Sequence, residues 1–112
     1  MKQIFKSLTN RKEVDLIPYI ENYLKTHPET KIYIGCDSQN NKQYTSYAVV
    51  IVLHNGNKGG HVLYSHENVL RNKYKQSLET GVEFARLWSE VEKAIEVAEY
   101  LRVNSIQKPA FI

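Results

Sequence analysis

Lys31-Ile32-Tyr33-Ile34-Gly35-Cys36-Asp37-Ser38-Gln39 is the stretch whose reading decides the fold. Its β-branched and aromatic residues suit a strand, and side chains on a strand alternate between its two faces. Ile32, Ile34 and Cys36 therefore share one side, and Tyr33, Gly35 and Asp37 share the other. Gly35 has no side chain, so it leaves the space beside Asp37 open. An ionised carboxylate on a buried sheet is costly unless a cation or a donor meets it. A bland role is also available to Asp37, as an Asx-turn to Ser38 or Gln39 at the strand end. The choice depends on whether the rest of the chain supplies partners.

The chain has 112 residues, one domain's worth, with 42% hydrophobic and 24% charged residues. These are ordinary proportions for a globular protein. The longest wholly apolar run, Ala48–Leu53, is far too short to cross a bilayer. No sustained apolar stretch marks a secretory signal at the N-terminus. A single cysteine forms no intrachain disulfide and fits a reducing, cytoplasmic setting. The net charge of +3 permits a polyanionic partner without requiring one.

Around the opening stretch, Met1–Val14 reads as a loop or short edge segment. Asp15 is placed to cap a helix running to about Lys25, with Pro18 in the first turn and Ile17, Ile20 and Leu24 as its apolar stripe. His27-Pro28 ends it. Residues 1–30 thus form an N-terminal extension with a short helix, and residues 31–112 the core. Asn40-Asn41-Lys42 is a turn, and Tyr44–His54 a long strand. The middle of that strand is apolar on both faces, as expected of a central strand covered from both sides. Asn55–Gly60 is hairpin punctuation, and His61–Val69 follows as a third, less apolar strand. His61 and His66 point to opposite faces and read as surface or rim histidines. Arg71-Asn72-Lys73-Tyr74-Lys75 is the densest basic cluster. Arg71, Lys73 and Lys75 could hold phosphates while Tyr74 stacks a base or sugar, although a solvated linker has the same composition.

From about Ser77 to Val103 the spacing predicts one long helix. Phe84, Leu87, Trp88, Val91, Ala94, Ile95, Ala98 and Leu101 give it a wide apolar face. Glu92, Glu96 and Glu99 fall on the far side of the stripe from Glu79, Glu83 and Glu90, and read as solvated. Glu83 and Glu90 share an edge of the helix where it would meet the sheet, within reach of a strand-end aspartate. After a break at Asn104–Pro109, Ala110-Phe111-Ile112 looks like a strand cut off at its start.

Three hairpin-linked strands, a helix and the beginning of another strand, with acids on the first strand and on the helix, resemble the ribonuclease H-like fold. The closer resemblance is to the YkuK-type family of ribonuclease H-like proteins. It rests on Ile32–Gln39, the hairpin strands after it, and Arg86-Leu87-Trp88-Ser89-Glu90-Val91 running into Glu96–Arg102. The fold class implied is α/β with an α+β-like mixed sheet: an antiparallel three-stranded meander, then the long helix, interrupted before or within a fourth strand. The resemblance implies Asp37 as first-strand metal ligand and Glu90 as helix ligand, with Glu83 in reserve and Ser38 and Gln39 lining the site. Cys36 stands where the family pattern leads us to expect threonine. It points away from Asp37, which suits a core residue rather than a nucleophile.

The function implied is nucleic-acid phosphodiester hydrolysis with carboxylate-held Mg²⁺ or Mn²⁺. DNA or RNA would be the partner, steered by Arg71, Lys73, Tyr74 and Lys75. Asp37 and Glu90 are then expected across one sheet–helix junction, their oxygens about 4–6 Å apart. Nucleases of this kind need a further acid on the strand after the helix, so this chain alone is expected to be inactive unless another protomer supplies it. The alternative is a non-catalytic binding module of the same fold, with self-association through an exposed edge or an uncovered apolar patch.

Overall fold

The computed structural model describes residues 3–56, 59–70, 79–106 and 109–112, with side chains omitted for residues 79–83. Eight elements follow in chain order: β1 (Phe5–Ser7), β2 (Glu13–Val14), α1 (Leu16–Thr26), β3 (Lys31–Asn40), β4 (Tyr44–His54), β5 (Gly60–Leu70), α2 (Glu79–Val103) and β6 (Ala110–Phe111). The strands form one mixed sheet in the order β2-β1-β5-β4-β3-β6. β3, β4 and β5 pair antiparallel in succession, and β6 runs parallel to β3, with Tyr33 opposite Ala110 and Ile34 opposite Phe111. The Met1–Val14 segment supplies the β1–β2 edge pair, which joins the sheet against β5.

Unbroken register from Lys31↔His54 to Asn40↔Thr45 preserves strict alternation along β3. Ile32, Ile34, Val49, Ile51, Leu53 and Leu63 make the buried face. Against it pack Leu16 and Ile20 of α1 and Ala94, Val97, Ala98 and Leu101 of α2, in one core that also takes in Phe5. Both helices therefore lie on the same side of the sheet. On the other side Tyr33, Ala48, Val50, Val52, Val62 and Tyr64 are half-buried, and among the described residues no helix covers them. Apolar residues on both faces of β4 predicted a two-sided cover. Among the described residues the observed cover is one-sided, and Val50 and Val52 remain half-buried.

Other expectations also need correcting. Asp15 occupies the N-cap of α1 through its backbone, where its carbonyl accepts the Tyr19 amide, but its side chain makes no capping bond. His61 is no rim residue: its Nε2 is hydrogen-bonded to the Tyr19 hydroxyl and lies 3.3 Å from Ser7 Oγ, beneath α1. The space over Gly35 is not open, because the Ile112 side chain lies 3.3 Å from where a Cβ would stand. On α2 the predicted apolar face splits. Ala94, Ala98 and Leu101 are buried, whereas Phe84, Leu87, Trp88, Val91 and Ile95 are 47–66% exposed. Ser77 and Arg71–Lys75 lie outside the described residues.

This division of α2 is measurable. Leu101 is 0% exposed and Leu87 51%. Leu101→Ala should cost about 2–5 kcal/mol, as large-to-small changes in packed cores do, and Leu87→Ala within about 0.5 kcal/mol. Urea denaturation of the two variants checks this. Equal losses would mean that the outer face of α2 is packed.

Candidate functional site

One row of side chains crosses the buried face near the far end of β3. Ser38 pairs with Tyr47, and Tyr47 pairs with Glu67, so the three lie side by side on β3, β4 and β5. Helix α2 crosses above them with two side chains one turn apart. The Ser38 hydroxyl donates to Glu90 Oε2. Lys93 donates to Glu67 Oε1 at 2.7 Å, with its Nζ 4.7 Å from the centre of the Tyr47 ring. Lys93 is only 19% exposed at the side chain and Glu67 48%, so the pair is partly shielded from solvent.

Cys36 lies one step back along the same face and is half-buried against the core. Burial, with the Glu90 carboxylate second, pushes its thiol up to about 11, while Lys93 acts in the opposite direction. That is the setting of a packing cysteine, since reactive thiols need electropositive surroundings.

Asp37 is exposed and stands opposite Ala48, on the uncovered face with Tyr33 and Gly35. Glu90 is on the covered face. The expected approach of the two carboxylates across one junction is therefore not present. Consecutive residues on a regular strand point to opposite sides, and it is Ser38 that faces the helix. Gln39 is exposed on the same side as Asp37. The Glu83 side chain, and Arg71, Lys73, Tyr74 and Lys75, lie outside the described residues.

Mg²⁺ or Mn²⁺, which the resemblance implies, prefers several oxygen donors converging from one side. Asp37 and Glu90 do not offer that, and one Glu90 oxygen is engaged by Ser38. Among the described residues no group of three or more His, Cys, Asp or Glu side chains could hold a metal ion. Asp37 and Glu90 by themselves, as placed, do not converge on one ion.

Reasoning from sequence missed Lys93, Glu67 and Tyr47, although the signals were present. Lys93 follows Glu90 by three residues on a helix, and Tyr47 has the parity of Val49, Ile51 and Leu53. A concavity of about 790 Å³ lies at the other end of β3, lined by His27, Lys31, Tyr33, His54 and Asn55 among others. Its two β3 residues, Tyr33 and Lys31, lie about 17 and 23 Å along the strand from Ser38, at about 3.3 Å per strand residue.

A mixed sheet of three successive antiparallel strands, a helix crossing one face, and a strand returning parallel to the first of the three has the element order of ribonuclease H-like α/β domains. The chain belongs to the ribonuclease H-like family, which matches it over residues 15–109. No curated protein and no solved structure matches it.

The Cys36 environment gives a direct test. A rise from 9.0 to about 11 lowers the thiolate fraction at pH 8 about a hundredfold. Iodoacetamide should therefore label the folded protein far more slowly than the urea-unfolded chain. Glu90→Gln, which removes the negative neighbour, should raise the rate. Labelling of the native protein at the unfolded rate would contradict the assignment.

Proposed function

We propose that the chain is a nuclease-type ribonuclease H-like domain that acts on nucleic-acid phosphodiester bonds, with Mg²⁺ or Mn²⁺ as its cofactor. The observation that carries this is family membership over residues 15–109, supported by the position of Glu90 against the β3 strand end at Ser38, next in sequence to Asp37. Asp37 and Glu90 are the acids this reading assigns to the chemistry. Arg71, Lys73, Tyr74 and Lys75, with Ser38 and Gln39, are assigned to the nucleic acid.

A bound Mg²⁺ or Mn²⁺ ion would supply Lewis-acid activation of water and of the phosphate. The residues of this chain have clearer tasks. Ser38 holds the Glu90 carboxylate in one orientation, and basic side chains would steer a phosphate backbone through long-range attraction. Because nucleases of this kind need a further acid, the chain by itself is expected to bind nucleic acid, and turnover requires that acid from another protomer.

Labelled single-stranded DNA, single-stranded RNA and an RNA–DNA hybrid, incubated with the protein at low salt with and without Mn²⁺, test the reading. The expected result is binding that weakens as salt rises, with no cleavage. Mn²⁺-dependent cleavage abolished alike by Asp37→Asn and Glu90→Gln would establish a nuclease and overturn the placement of the two acids on separate faces. Binding that persists while no added donor or metal ever restores cleavage leaves a binding module. No association with any of the three nucleic acids would rule out both.

A further inference from the structure

The outer face of α2 is the largest feature that the function above does not use. At about 100° per residue, Phe84, Trp88, Val91 and Ile95 fall within about 60° of one another. Leu87 borders them. This stripe runs about 16 Å along the helix at a rise of 1.5 Å per residue. Its members are 47–66% exposed, and the Phe84 and Trp88 rings stack on each other with centroids 6.4 Å apart. Apolar residues at i, i+4, i+7 and i+11 are the spacing by which one helix receives another along its length. A row of this size is well beyond the singly scattered apolar residues of an ordinary surface.

The charges beside the stripe specify the occupant. Glu92, Glu96 and Glu99 flank it on the side away from the sheet. Glu99 is matched by Arg102 at 2.9 Å, which holds its carboxyl below the usual carboxylate range through a hydrogen bond and its charge. Glu92 and Glu96 are exposed and have no ion pair or hydrogen bond among the described residues. These two carboxylates would repel an anionic lipid surface, whereas a partner carrying lysine or arginine beside its apolar stripe would pair with them.

We propose that the outer face of α2 is a docking surface for an amphipathic helix whose apolar stripe covers Phe84, Leu87, Trp88, Val91 and Ile95 and whose Lys or Arg flank pairs with Glu92 and Glu96. The apolar contact supplies the affinity, and the acidic flank selects the partner and its orientation. The surface is separate from Asp37 and from the Ser38–Glu90 contact, so its occupancy does not depend on nuclease chemistry.

Trp88 is the chain's only tryptophan, so its fluorescence reports directly on the stripe. Two synthetic helical peptides without tryptophan serve as probes. They share a leucine stripe and differ only in a lysine or a glutamate flank. Titrated into the full 112-residue chain, the lysine peptide should shift Trp88 emission to the blue and bind at least about tenfold more tightly than the glutamate peptide. The double variant Glu92→Lys, Glu96→Lys should reverse that preference. Val91→Asp should weaken both peptides while circular dichroism stays unchanged. Equal binding of the two peptides to the unsubstituted protein would overturn the proposal, because apolar adhesion alone would then explain the surface. So would a Trp88 emission already blue-shifted without peptide, together with a concentration-dependent dimer in sedimentation that Val91→Asp dissolves. That result would assign the face to a second copy.

Discussion

The arrangement depends on a clamp between one row of the sheet and one turn of α2. Ser38, Tyr47 and Glu67 lie abreast on three strands, and Glu90 and Lys93 reach down to them. A hydrogen bond to a charged group contributes about 1.5–3 kcal/mol net, and more in orientation than in energy when partly exposed, as Lys93–Glu67 is. The contacts fix the rotation of the helix about its own axis. Glu90 and Lys93 occupy the same sector of α2 as Val97 and Leu101, so the clamp and the buried stripe enforce one another. With that rotation set, Ala94, Val97, Ala98 and Leu101 enter the core, and Phe84, Trp88, Val91 and Ile95 have to face outward. The unpartnered apolar face is thus a consequence of how the helix is held.

The same constraint governs the acids. Since the clamp uses Ser38, the helix belongs to the side of β3 that carries Ile32, Ile34 and Cys36, and Asp37 is left on the other side. Family membership and this geometry pull in different directions. The proposed nuclease reading of the family calls for carboxylates gathered on metal ions. The geometry keeps the two principal carboxylates apart, one bonded to a serine and one exposed. A regular ten-residue strand with unbroken pairing has no bulge that would turn Asp37 toward the helix. Bringing it there would require a change in register, which would also move Ile32 and Ile34 off the core.

Much of the fold was legible because hydrophobic periodicity and turn chemistry agree here. β4 runs from Tyr44 to His54 as its composition implies, the Asn55–Gly60 punctuation separates two paired strands, and His27-Pro28 ends α1. The strand expected at the end of the chain is present as β6, parallel to β3 at Ala110 and Phe111. Strand alternation correctly places Asp37 on the face opposite Ile34, but it does not say which face α2 takes, and α2 goes to the apolar face it needs to cover. Ser38, with the parity of Ile34, was the residue to follow. Counting apolar residues on α2 could not reveal which of them the sheet would cover, because that depends on the distant Glu90–Ser38 and Lys93–Glu67 contacts. His61 was misplaced for a similar reason: its partners Tyr19 and Ser7 are 42 and 54 residues away, beyond any local pattern.

The measurement that addresses the central claim most directly is calorimetric titration of the protein with Mn²⁺, for the unsubstituted chain, Asp37→Asn and Glu90→Gln. Carboxylates on opposite faces act independently, so any weak association that Asp37→Asn diminishes should be unchanged in Glu90→Gln. One Mn²⁺ ion whose binding either substitution abolishes would contradict the account, because it would place both acids on the same side of β3.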